Sequence, residues 1–317
     1  MENHRKLIKF GTSSYVISLP SRWITKNKLS KGSNLVVNES LNNELILSIG
    51  STEKSEYKKE IVIELKGKEA TQLKREIISC YINNYNLVKI DGENIHKFKK
   101  EIQDVLRTLM GFEIVEENSR GIVLRDFIDL GEVSYEEIFR KIDVIIKSMM
   151  EDIKLLPKKD ISENIASRDD QVNKLVYLLM RNMRFTLECP HLANEKNQMN
   201  VKYILNAWDT LLNIERVADG IKRISRKMGR IRKDAKTFSD MLRIFTEIES
   251  FYKETLKTYY TCDVKSAYNL SLNKRRLADV CNKHHEKYWG VKQVPIILES
   301  FKDVISSIHN ILRRVYS

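Results

Sequence analysis

The placement of proline limits this chain more than any other feature. There are four prolines in 317 residues, and three of them, Pro157, Pro190 and Pro295, fall at or just outside the ends of long stretches with helical apolar spacing. Proline removes a backbone donor and clashes with the preceding turn, so it belongs at such ends. The spacing predicts helices near 134–156, 165–188, 199–231, 236–262, 265–288 and 293–315. Six helices of this length with short connections suggest an up-and-down bundle. Their division into two groups of three suggests a doubled three-helix unit.

The front of the chain follows a shorter period. Leu7, Ile8 and Phe10, then Val16 and Ile17, Leu35–Val37, and Leu45–Ile49 read as strands. Turn signals separate them at Gly11–Ser14, Lys31–Ser33 and Asn42–Asn43. Pro20 has the position of a helix N1 residue, and Ser21–Asn27 makes about two turns. Four short strands and one small helix cannot bury their own apolar face, which points to an obligate dimer through residues 1–50. Residues 56–130 read as a small α/β module: strand Glu60–Leu65, helix Glu69–Ile82, strand Leu87–Ile90, helix Ile95–Met110, and strands Glu113–Glu116 and Ile122–Arg125. Gly111 closes the second helix, and Asn118–Gly121 makes the hairpin turn. The module carries no phosphate-loop glycines and no nucleophile motif. The expected fold is thus multi-domain and mainly α: a β-rich head (1–50), an α/β module (56–130) and a six-helix bundle (134–317).

Charge narrows the function. The net charge is +12, which calls for a polyanionic partner without naming it. Residues 1–34 hold Arg5, Lys6, Lys9, Arg22, Lys26, Lys28 and Lys31 against the single acid Glu2. A second block, Lys222–Lys236, holds eight basic residues against Asp234, and reads equally well as a solvated helix face. The longest apolar runs fall far short of a membrane span, and no signal peptide is evident, so membrane insertion is not expected. Cys80, Cys189, Cys262 and Cys281 are scattered without a CxxC pair, which argues for reduced thiols in a cytoplasm. His284-His285-Glu286 is not HExxH, His191 and His309 stand alone, and no nucleophile–base pair is visible. An enzyme is not expected.

Two pairs of ligand-type polar residues could carry chemistry. Asp169 and Asn173 are i, i+4, as are Glu215 and Asp219, so each pair shares a helix face. Carboxylates meeting across neighbouring helices are a usual way for a bundle to hold a metal with hard oxygen ligands. The competing reading is a salt-bridge network using Arg216 or Lys174, or Arg168 or Arg181 turned inward.

RDDQVNKLVYLLMR followed by LNIERVADGIKRIS resembles the PhoU family of phosphate-uptake regulators, carried by Arg168-Asp169-Asp170, Val172, Leu175 and Arg181, then Glu215-Arg216, Asp219 and Ile224. The resemblance implies two three-helix repeats and a divalent metal ion (iron, zinc or magnesium) at Asp169, Asn173, Glu215 and Asp219. Asn173 stands where that family prefers Asp. In the last helix one register places Lys302 and Ser306 at the ligand positions, and another places Glu299 and Asp303 there.

The stretch KFGTSSYVISLPSRWITKNKLSKGSNLVV is similar to the SpoVT/AbrB (MazE-like) swapped-hairpin domain, through Gly11–Ser14, Leu19-Pro20, Trp23 and Leu29–Gly32. That resemblance implies a two-fold homodimer with exchanged strands and a basic surface for double-stranded DNA. Arg5, Lys6, Lys9, Arg22 and Lys26 would contact phosphates, with hydroxyl contacts from Thr12, Ser13 and Ser14. An AbrB-like head on a PhoU-like bundle is an arrangement that looks archaeal. The expected function is a cytoplasmic DNA-binding regulator tied to phosphate homeostasis. The alternative is an adaptor that docks on the ATPase of a phosphate transporter, with the head serving only to dimerise.

Overall fold

A computed structural model describes residues 4–39, 45–49, 59–159, 161–189 and 200–316. The chain divides into two compact units, residues 1–57 and 58–317. It is mainly helical, with small strand sheets at its N-terminal end.

The first unit is two hairpins and one short helix. Strand β1 (Ile8–Phe10) pairs antiparallel with β2 (Ser14–Val16), placing Lys9 opposite Tyr15 and Phe10 opposite Ser14. Gly11 turns between them at φ +68, a left-handed conformation that glycine adopts freely. Helix α1 (Ser21–Lys26) follows. Pro20 is its N-cap, one place earlier than the N1 position expected, and its carbonyl accepts from the amides of Trp23 and Ile24. Strand β3 (Leu35–Glu39) pairs antiparallel with β4 (Leu45–Ile49), with Leu35 opposite Ile49. The Asn42–Asn43 turn lies outside the described residues. No described residue of this unit is buried, and Leu7, Ile8, Phe10, Tyr15, Val16 and Ile17 are all exposed.

The second unit opens with a four-stranded mixed sheet in the order β5-β6-β8-β7. Strand β5 (Glu60–Glu64) is parallel to β6 (Leu87–Asp91), and α2 (Ala70–Ile82) makes the crossover. A 3-10 turn over Ile95–Phe98 and α3 (Lys99–Leu106) lead to edge strand β7 (Phe112–Glu117). Strand β8 (Gly121–Asp126) then returns between β6 and β7, antiparallel to both. The expected turn forms around Asn118, whose side-chain oxygen accepts from the amides of Arg120 and Gly121, each at 2.9 Å. The helix expected over Ile95–Met110 is shorter, because Asn94 takes a left-handed φ of 62 and the chain must pass through the 3-10 turn first. Alternation along β6 and β8 buries Val88, Ile90, Ile122 and Leu124 against Leu73 and Ile77 of α2 and Ile102 and Val105 of α3.

Seven helices follow among the described residues: α4 (Tyr135–Ile153), α5 (Ser162–Glu188), α6 (Val201–Ile231), α7 (Ala235–Thr261), α8 (Val264–Ser271), α9 (Asn273–Lys287) and α10 (Val294–Arg313). Their starts obey local chemistry. Ser134, Asn200, Asp234 and Asp263 each cap a helix by accepting from an amide three residues on. The single helix expected over 265–288 is instead two. The Ser271 hydroxyl bonds to the Tyr268 carbonyl at 2.6 Å, a local bond that competes with the helical ladder in an Asn- and Ser-rich stretch. Pro190 and His191 lie outside the described residues.

Helices α4, α5 and α6 pack on one another, α10 packs on α7, α8 and α9, and α6 against α10 joins the two groups. The α6–α10 crossing is antiparallel: Asn310 donates to the Asn213 side-chain oxygen at 3.2 Å, and Arg314 pairs with Asp209 at 2.7 Å. No helix among the described residues is long and apolar enough to cross a membrane.

Candidate functional site

The acid cluster lies between α5 and α6. These helices run antiparallel, so Asp169, Asn173 and Tyr177, spaced by four on α5, line up against Lys222, Asp219 and Glu215 on α6. The four residues expected as ligands are therefore drawn to one place. What occupies the middle is Lys222. Its ammonium bonds to Asp169 Oδ2 and pairs with Asp219 Oδ1 at 3.1 Å. Asn173 completes the group by donating to Asp169 Oδ2 at 3.4 Å.

Burial sets the electrostatics. Asp169 is fully buried, and its Oδ1 has no hydrogen-bond partner. Burial raises its carboxyl above the usual value, and the hydrogen bond and charge of Lys222 pull the other way. The Glu215 carboxyl is likewise raised, by burial first and then by the charges of Asp219 and Asp169. Burial pulls the Lys222 ammonium down, yet its bonds to the two aspartates outweigh this and hold it above its ordinary value. The cluster is thus built around one tethered cation shared by two aspartates, with the Glu215 carboxyl close enough to feel all three charges.

Of the arginines expected to neutralise these acids, Arg168 pairs with Asp152 on α4 and Arg181 turns to Asp126 of the α/β module, while Arg216 stays exposed and its charge opposes the rise at Glu215. The cation used, Lys222, was legible as the residue three beyond Asp219, but its place at the head of a basic run makes it read as surface charge. That run does not form one surface, because Lys222 points inward while Arg223 faces Asp303 at 3.9 Å.

As arranged, this donor set suits an ammonium better than a divalent ion. The orphaned Asp169 Oδ1 is an acceptor a metal would satisfy, but Lys222 already holds Asp169 Oδ2 and Asp219 Oδ1. Among the described residues, no group of three or more His, Cys, Asp or Glu is disposed to hold a metal. In α10, Glu299 pairs with Lys302 at 2.8 Å, and both Glu299 and Asp303 are largely exposed.

The second candidate surface is the head. Arg5 and Lys6 precede β1, Lys9 lies within it, Thr12 and Ser13 form its turn, and Ser14 opens β2. Arg22 and Lys26 sit one turn apart on α1. All eight are exposed, and none of the five cations has an ion-pair partner among the described residues. Trp23 is half-buried, and its carbonyl accepts from the Asn27 amide at 2.8 Å.

Comparison of the chain with family models, with curated proteins and with solved structures finds no match in any of the three.

Proposed function

We propose that this protein is a DNA-binding regulator whose head contacts the phosphate backbone as a homodimer and whose helical region relays a signal linked to phosphate status. The observation that carries the reading is the head itself: five exposed cations, without ion-pair partners among the described residues, at β1 and on α1 of a unit none of whose described residues is buried. Unneutralised cations on a small β-rich unit suit a polyanion, and uncovered hairpins suit a second copy. The swapped-hairpin likeness of residues 9–37 supports the same pairing. The tie to phosphate rests on the likeness of the α5 and α6 motifs to phosphate-uptake regulators. A cytoplasmic site of action fits four free cysteines.

In this reading the acid cluster keeps Lys222 as its resident cation, and a divalent ion would enter only when Lys222 withdraws. Asp169, Asn173, Glu215 and Asp219 would then hold it, and it would supply fixed charge between α5 and α6.

The deciding experiment is a titration of the full chain with duplex DNA over a range of salt. Affinity should fall steeply as salt rises, and Arg22→Ala or Lys9→Ala should reduce the log–log slope by roughly 0.9 per lost contact. Absence of binding, or a slope indifferent to both substitutions, would overturn the assignment of these residues to DNA.

A further inference from the structure

We infer that the helical region holds a binding site for a flat aromatic or heteroaromatic monoanion, in a cleft between α4, α6, α7 and α10. The cleft encloses about 370 Å³, within the range of small-molecule pockets between bundle helices. Its walls are rings. Tyr135 stacks on Phe139 at 5.5 Å and meets Tyr203 edge-on at 6.0 Å. Phe139 reaches Tyr259 at 5.5 Å and Tyr260 at 6.2 Å, so five rings from three helices form one continuous surface. Tyr203 stands 40 % exposed at the mouth. Such walls favour a planar ring by offset and edge-to-face contact.

The charge comes from one side chain. The Arg140 guanidinium lies over the Tyr260 ring at 4.7 Å and has no carboxylate partner among the described residues. Glu136, one turn earlier on the same helix, forms no ion pair with it, whereas the other arginine of the cleft, Arg314, is taken by Asp209 at 2.7 Å. A guanidinium held in place by a ring and left without a counter-ion is suited to a carboxylate. The phenols stay neutral: burial lifts Tyr203 to about 12 and raises Tyr135 and Tyr259 above their ordinary value. The phenols therefore add no negative charge, and the carboxylate that lines the cleft is Glu136, which acts on Tyr203 and Tyr259 and forms no ion pair with Arg140. Contact with four helices at once gives such a ligand a hold on the packing of both helical groups.

The site carries its own reporter. Cys262 lines the cleft and is exposed, while Cys80, Cys189 and Cys281 are buried. Burial also pushes the thiols of Cys80 and Cys281 to about 11 and about 12, so a maleimide should label Cys262 first. The probe is 2-naphthoate, added to the full chain, with the uncharged 2-naphthalenemethanol as its control. Naphthoate should slow Cys262 labelling saturably, and the alcohol should need roughly ten times the concentration. Arg140→Gln should bring the acid down to the alcohol's level, and Arg140→Lys should retain part of the difference. Tyr203→Ala should weaken both. Arg140 is exposed, so melting temperature should not move. No slowing by naphthoate would overturn the inference, and so would equal protection by acid and alcohol that ignores Arg140.

Discussion

The guanidinium of Arg181 holds both carboxylate oxygens of Asp126, with both side chains out of water. Two parallel bonds join them, one of 2.8 Å from Nη1 to Oδ1 and one from Nη2 to Oδ2. Arg181 also stacks over the Tyr81 ring at 4.6 Å, and its Nε donates to Asn84 Oδ1 at 3.4 Å. Asp126 ends β8 and Arg181 lies in the C-terminal third of α5, so this pair fastens the α/β module to the helical region. Around it α2 packs on α5, and Tyr177 reaches the module's core.

Removing half of such a pair strands a buried charge. Arg181→Ala should destabilise the second unit by about 3–5 kcal/mol, because Asp126 loses both of its strong bonds while remaining covered. Replacing both residues, as Arg181→Met with Asp126→Leu, should cost less than Arg181→Ala alone. Chemical denaturation followed by circular dichroism reads the difference. Equal costs for the single and double variants would mean that stacking on Tyr81 and not the ion pair holds the joint.

A second weak point is Gly220, where α6 crosses α10. A Cβ there would come within 2.3 Å of Val304 Cγ2. Val304 is fully buried and cannot swing into solvent, so the helices must part. Gly220→Ala should therefore destabilise by about 1–3 kcal/mol despite the better helix propensity of alanine. Val304→Ala in the same chain should recover much of the loss. A neutral Gly220→Ala would show that the crossing has slack.

Helix ends were legible because their chemistry is local. Apolar spacing and proline placed them within a few residues, and the caps Ser134, Asn200 and Asp234, which the spacing did not single out, fix the starts of α4, α6 and α7. The break at Leu272 was hidden because the apolar spacing continues through it, while the competing bond from Ser271 acts at one residue only. Both polar pairs of the α5–α6 cluster were visible from i, i+4 spacing. Their cation was not assigned, since spacing shows which residues share a face and says nothing of which long side chain folds inward. The joint between Arg181 and Asp126 spans 55 positions, and no periodicity links residues that far apart.

The uncovered hairpins of the head make assembly testable. Phe10 is 69 % exposed and Val16 43 % in a unit none of whose described residues is buried, and in the proposed dimer a partner copy supplies the cover. Val16→Asp would then place an unpaired charge inside the pair and should cost roughly 3 kcal/mol or more. Sedimentation of the full chain should show a dimer for the wild type and a monomer for Val16→Asp, with reduced DNA affinity. A monomeric wild type whose head still resists proteolysis would end the dimer proposal.

Lys222 and Asp169 together set the response of the cluster to pH and to cations. Burial holds the carboxyls of Asp169 and Glu215 above their ordinary values, with Lys222 opposing it at both. A carboxyl with a higher folded than unfolded pKa binds its proton more tightly when folded. Its contribution to stability is fullest below the ordinary carboxylate value of about 4 and falls as pH rises through the raised value. In Lys222→Met the cation bonded to Asp169 is gone and only the exposed Arg216 still opposes the rise at Glu215, so both carboxyls rise further and the fall should extend toward neutral pH. The variant should accordingly lose more melting temperature, relative to wild type, near neutral pH than in mild acid. The same change frees Asp169 Oδ2 and Asp219 Oδ1 for another cation. Millimolar-range Mn²⁺, Zn²⁺ or Mg²⁺ should raise the melting temperature of Lys222→Met more than that of wild type, since an ion that binds only the folded state stabilises it by mass action. Adding Glu215→Ala and Asp219→Ala should erase that rise. If Lys222→Met melts identically with divalent ions and with chelator, the metal proposal falls, and the cluster is a salt-bridge network that holds α5 and α6 in register.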